Sequence, residues 1–154
     1  MAILAGDALL SEAFYHVATQ SKADAATKVA IIAELGAAFG PNGLAAGQMM
    51  DLECEGKKDV TLEDLQWIHT HKTAVLLQVS VASGALLGGA TPEQVQACKD
   101  FALNIGLAFQ VADDILDVTQ STDELGKTAG KDLDADKTTN PKLVGLDESR
   151  AEAE

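Results

Sequence analysis

The chain has 154 residues, a net charge of −13, and a composition that is 47% hydrophobic but only 4% aromatic. That is long enough for one domain with a real core, of the kind that Leu, Val and Ala build when helices pack. So acidic a chain disfavours nucleic acid and anionic membrane surfaces and favours cations, so an anionic substrate would need a local basic site or a bridging metal.

Cys54 and Cys98 form neither a CxxC nor any other ligand spacing, which leaves zinc and a disulfide framework without support and makes a reducing compartment the default. No uninterrupted apolar run reaches the length of a membrane span. The opening residues, Met1 to Asp7, lack the basic start of a signal peptide, so no targeting segment is read in this chain.

In chain order, Leu4, Ala8, Phe14 and Val17 predict a helix over residues 3–19 that begins without a cap. A second, over 24–39, is stopped by Gly40-Pro41-Asn42-Gly43. A third, over 43–55, sets Gln48, Asp51 and Glu55 on one face and ends at Gly56. Thr61, with Asp64 three residues on, caps a long helix expected to continue unbroken to Leu87, where Gly88-Gly89 closes it. Thr91-Pro92-Glu93-Gln94 starts the last long helix with Pro at the first helical position and Gln three after Thr. From Gln120 onward Gly126 and Gly130 interrupt the pattern and Lys127, Lys131, Lys137 and Lys142 gather in a loop, after which residues 146–154 return to helix formers. No segment alternates with period two, so the fold class is all-α, an antiparallel helix bundle in a single partial domain over residues 1–154.

The chemistry concentrates in the last long helix. With Asp113 at 0°, Asp117 falls at about 40°, Gln110 at about 60° and Asp114 at about 100°, while Gly106, at about 20°, leaves the sector open. The other angles carry Ile105, Leu107, Phe109, Val111, Ile115, Leu116 and Val118, a pattern that predicts a buried helix with its acids facing an internal cavity or a cation. Clustered carboxylate oxygens suit a hard cation. Beside a phosphate-bearing substrate that cation is usually Mg²⁺, which keeps its waters and takes one or two protein carboxylates. Lys72 falls in the stripe of Leu65, Ile68, Leu76 and Val79, and either snorkels from the core edge or meets a buried anion.

His69 and His71, two apart, point away from each other on a helix and cannot share a metal. Ser121 to Thr128 ends in Gly-Lys-Thr but has Ser at the first P-loop glycine and follows a helix instead of a strand. Asp132, Asp134 and Asp136 mimic a calcium loop, yet Lys137 replaces its glycine and Leu143 its bidentate Glu.

Phe109-Gln110 with Asp113-Asp114-Ile115-Leu116-Asp117 resembles the second aspartate-rich motif of trans-isoprenyl diphosphate synthases of the geranylgeranyl diphosphate type. The resemblance extends over nearly the whole chain through Leu4-Ala5-Gly6-Asp7, Gly47-Gln48-Met49-Met50-Asp51, His69-Thr70-His71-Lys72-Thr73 and Gly126-Lys127-Thr128-Ala129-Gly130-Lys131-Asp132. It implies an isoprenoid-synthase bundle, Mg²⁺ held by Asp113, Asp114 and Asp117, and an allylic diphosphate met by Lys72, Thr73, Gln110, Lys127 and Lys137. By the same resemblance Lys72, Gln110, Asp113 and Asp114 are catalytic. The substrates would be isopentenyl diphosphate and dimethylallyl, geranyl or farnesyl diphosphate, and the full-length protein would be a homodimer in the plastid or cytoplasm. The family's first aspartate-rich motif and its final helices are expected outside these residues, so the chain reads as a middle-to-late portion of a synthase, inactive alone. The other class of function is a non-catalytic subunit that binds and modulates a synthase. Retention of the acid cluster, with no CxxxC element, favours the enzyme.

Overall fold

The computed structural model describes residues 1–126, 130 and 136–154. Among them the regular structure is entirely helical.

Helix α1 (Ala2–Thr19) leads to α2 (Ala25–Phe39), whose start is set by Asp24, its carboxylate accepting the Thr27 amide at 2.8 Å. Gly40 to Gly43 turn the chain into α3 (Leu44–Cys54). By length and apolar content residues Ala25–Cys54 would pass as a membrane span. The turn divides them into these two short helices, and a break there would leave backbone groups unsatisfied in lipid.

Helix α4 (Leu62–His69) opens on a complete capping box, Thr61 and Asp64 each satisfying the other's amide. The same device, Thr91 with Gln94 and Pro92 at the first position, opens α6 (Pro92–Thr119). Between α4 and α5 (Val75–Leu87) the expected continuous helix is interrupted. Residues Thr70–Ala74 form a π turn, with the Val75 amide reaching back five residues to the Thr70 carbonyl. One extra residue in a turn rotates everything after it relative to everything before, and such turns gather where side chains must be re-aimed. Here two glycines accommodate it. A Cβ at Gly47 of α3 would fall on the backbone of His71 and Lys72, and a Cβ at Gly106 of α6 would overlap Ala74. The sector that Gly106 leaves open on α6 is therefore filled by Ala74, not by a cavity.

Helix α6 is the spine. It packs along α5, which a four-residue connection turns back against it, and it also touches the π turn and the last helix. Lys99 of α6 reaches Glu34 of α2 at 2.6 Å. After α7 (Thr122–Leu125), the short α8 (Asn140–Val144) and α9 (Leu146–Ala153) close the chain.

The burial of α6 reverses part of the sequence expectation. Phe101, Ile105 and Phe109 are 63%, 49% and 59% exposed, whereas Asp114 and Asp117 are 8% and 6% exposed. The helix is not covered all round: its acids lie inside, and no described element covers its apolar flank. Helix α1 is similar, with no buried residue and with Ile3, Leu4 and Leu9 open to solvent; Phe14 alone of its predicted apolar set finds a ring, that of Phe39.

Candidate active site

Each of the two buried acids of α6 accepts a backbone amide from later in the chain. Asp114 Oδ2 accepts the backbone amide of Asn140 at 2.8 Å, and Asp117 Oδ1 that of Gly130 at 3.1 Å. A charged acceptor stabilised by a backbone donor is one way a carboxylate is tolerated in the interior. Asn140, 1% exposed, is held in turn, its amide group donating to Glu152 and its Oδ1 lying 2.6 Å from the Ser149 hydroxyl. A buried polar strut thus joins α9 to the acid cluster of α6.

On the other side, Lys72 and Lys137 converge on one atom. Asp51 Oδ2 accepts from Lys72 Nζ at 2.5 Å and from Lys137 Nζ at 2.8 Å, with Glu55 at 3.6 Å from the latter. Burial works against ionisation of Asp51, but the two ammonium groups outweigh it and hold the carboxyl below its usual range. Lys72 has the anion that its place among apolar residues required, and that anion is Asp51. The sequence places Asp51 on a face with Gln48 and Glu55 and within a family motif but assigns it no role. Its signal was an acid at the point where α3 carries Gly47 four residues earlier, close enough to touch the Lys72 backbone.

Between these two sides lies a polar cavity of about 100 Å³. Asp113, Asp114 and Gln110 line it from α6, Lys72 and His69 from the π turn and the end of α4, and Asp51 and Lys137 from opposite. His69 is buried and desolvation lowers its pKa to about 4, against the pull of Asp51 and Glu152. It is therefore neutral at pH 7, and its 3.8 Å approach to Asp114 is not an ion pair there. His71 stacks on Trp67 outside the cavity. Thr73 donates its hydroxyl to Gln110 Oε1 at 2.7 Å and faces a second, apolar groove of about 260 Å³ with Leu76, Leu77 and Phe109. Lys72 lines both the cavity and the groove.

Of the residues singled out from sequence, Lys72, Gln110, Asp113, Asp114 and Lys137 meet at the cavity. Asp117 sits one turn further along α6 against Gly130, Thr73 acts on Gln110 from the side, and Lys127 lies outside the described residues. Among the described residues no three His, Cys, Asp or Glu side chains are arranged as a closed metal cage. The donor chemistry nevertheless fits Mg²⁺, which asks for one or two carboxylate oxygens and completes its octahedron with water and phosphate. Asp113 and Asp114, both on the cavity, are the residues that would supply those oxygens.

The whole chain, residues 1–154, matches the polyprenyl synthetase family. It is 56% identical over 155 residues to a chloroplastic geranylgeranyl pyrophosphate synthase of Catharanthus roseus, covering all of this chain and 43% of that protein. It is 55% identical to geranylgeranyl pyrophosphate synthase 7, chloroplastic, of Arabidopsis thaliana, over 97% of this chain and 44% of that one. Among solved structures it is similar to a Helicobacter pylori geranyltransferase complexed with magnesium and isoprenyl diphosphate, with a TM-score of 0.86 and 36% identity across 99% of this chain and 49% of the other. The chain thus spans under half the length of these relatives, and on sequence, fold and the clustering of the motif residues it belongs to the polyprenyl synthetase family.

Proposed function

We propose that this chain forms the diphosphate-handling part of a geranylgeranyl diphosphate synthase, and that the complete protein condenses isopentenyl diphosphate with an allylic diphosphate. The observation that carries the reading is the position of Lys72 at the junction of a polar cavity and an apolar groove. A prenyl diphosphate has the same division, a charged head and a hydrocarbon tail.

In this reading the diphosphate enters the cavity, where Lys72, Lys137 and Gln110 meet its oxygens. The allylic C–O bond breaks and its electron pair leaves with the diphosphate, whose growing charge the two ammonium groups stabilise in a partly desolvated site. The resulting carbocation lies toward Leu76, Leu77 and Phe109, side chains that offer no nucleophile and that would exclude water once the exposed flank of α6 is covered in the complete protein. The double bond of isopentenyl diphosphate attacks it to form the new C–C bond, and the cation so formed gives up a proton to an oxygen of the released diphosphate, restoring a double bond in the product. Thr73 fixes the Gln110 amide so that it addresses the head group. Mg²⁺, held through Asp113 and Asp114 with Asp117 behind them, supplies further neutralisation of the leaving diphosphate when bound.

The relatives named as chloroplastic support a plastid location, and the uncovered apolar flanks of α1 and α6 support burial against further protein, including a second copy in a homodimer. The isolated 154 residues supply one side of the head-group site, so turnover belongs to the complete protein. Incubation with Mg²⁺, isopentenyl diphosphate and farnesyl diphosphate tests this: the complete protein should yield geranylgeranyl diphosphate and the isolated chain should not. Failure of the complete protein to form any prenyl product would overturn the assignment, leaving a modulating subunit as the reading to pursue.

A further inference from the structure

The two lysines that line the cavity come from distant segments, Lys72 from the π turn and Lys137 from the connection into α8. What they share is a single oxygen, Asp51 Oδ2, which holds both ammonium nitrogens roughly 5 Å apart at most. The Asp51 side chain is 14% exposed, against 31% and 23% for the lysines, and all three line the cavity, with the carboxylate the least exposed of them. We propose that Asp51 is a positioning residue that presents Lys72 and Lys137 as one preformed diphosphate clamp.

Lysine stems are long and flexible, and two ammonium groups this close repel. Without an anion between them, each would move toward solvent, and a ligand would have to gather both while ordering their stems. With Asp51 in place that ordering is complete before the ligand arrives, which is how preorganisation raises affinity. Asp51 is itself placed by the fold: Gly47, one turn earlier on α3, lets the helix rest on the His71 and Lys72 backbone, and the Gly56 amide donates to the Asp136 carbonyl at 3.3 Å, docking the segment that carries Lys137.

This inference rests on reading the cavity as a diphosphate site, and the two are separable. Inorganic pyrophosphate is titrated calorimetrically, with Mg²⁺ present, into the 154-residue chain and into Asp51→Asn, Lys137→Ala, the double variant and Asp51→Glu, with thermal melting as a fold control. Asp51→Asn should bind about tenfold more weakly. The double variant should lose less than the product of the two single losses, because Asp51 acts through the lysines. Asp51→Glu, which keeps the charge, should recover part of the affinity. Pyrophosphate bound by Asp51→Asn as tightly as by wild type, or more tightly, would show Asp51 to be only a placeholder anion and overturn the proposal, as would losses that simply multiply. Should Asp51→Asn not fold, Asp51→Glu decides: its carboxylate is displaced by one methylene, so affinity a few-fold below wild type supports the clamp and affinity unchanged or higher refutes it. No binding by the wild-type chain would overturn the diphosphate reading itself, and this inference with it.

Discussion

Thr73 and Gln110, on different helical segments, are joined by a 2.7 Å hydrogen bond from the threonine hydroxyl to the glutamine carbonyl oxygen. That bond occupies the amide oxygen, so the NH₂ group is what Gln110 would offer a ligand in the proposed site. A donor aimed at an anionic head group is the useful orientation. Thr73→Val keeps the shape and removes the hydroxyl. In the complete protein it should lower kcat/KM by about 0.5–1.5 kcal/mol, the usual contribution of one such bond, with the melting temperature nearly unchanged. Wild-type kinetics in that variant would show that Gln110 is oriented by something else.

Asp113 lies on the cavity and is half-buried, while Asp114 and Asp117 are buried against backbone amides. Of the three it is the one most open to a hydrated cation. Mg²⁺ binding in the presence of pyrophosphate should therefore weaken at least tenfold in Asp113→Ala, read by calorimetry without turnover. Unchanged binding would move the metal away from this cluster.

Acid should destabilise the chain through His69. Its pKa is about 4 in the fold, below the ordinary value near 6.5, so between those values the unfolded chain takes up a proton that the folded chain refuses. Stability from this group is complete above about pH 6.5 and falls as the pH drops toward 4, by on the order of 2–3 kcal/mol across the window. Urea midpoints measured from pH 7 to pH 4 should decline, and His69→Gln should flatten that decline. An equal slope in the variant would assign the effect to other groups.

Gly47→Ala tests the packing that supports the clamp. Its Cβ would land on the His71 and Lys72 backbone, which cannot yield as a side-chain tip does. Overpacking of this kind costs about 1–3 kcal/mol, and denaturant unfolding should register it. Pyrophosphate affinity should fall as well, because the displaced backbone is the one that carries Lys72.

The relation of sequence to structure divides by range. Helix starts at Thr61 and Thr91 were legible because a cap is satisfied within three residues of itself, and the breaks at Gly40 to Gly43 and Gly88-Gly89 are equally local. The acid sector of α6 and the misplaced Lys72 were legible because helical periodicity and the cost of burying charge are properties of single segments. Partners were a different matter. Asp51 meets lysines 21 and 86 residues away, and Asp114 meets an amide 26 residues on, distances over which no pattern specifies a pair. The π turn at Thr70–Ala74 was hidden for the same reason, since its residues suit an α-helix and only the close approach of α3 and α6 at Gly47 and Gly106 selects the wider turn. Apolar content marked α6 for burial on all sides, but hydrophobicity states what a face prefers and tertiary structure decides what is there to cover it. By itself the sequence determined the helices, the family and which charged groups had to be compensated; the packing of helices brought together from distant segments determined which atoms compensate them.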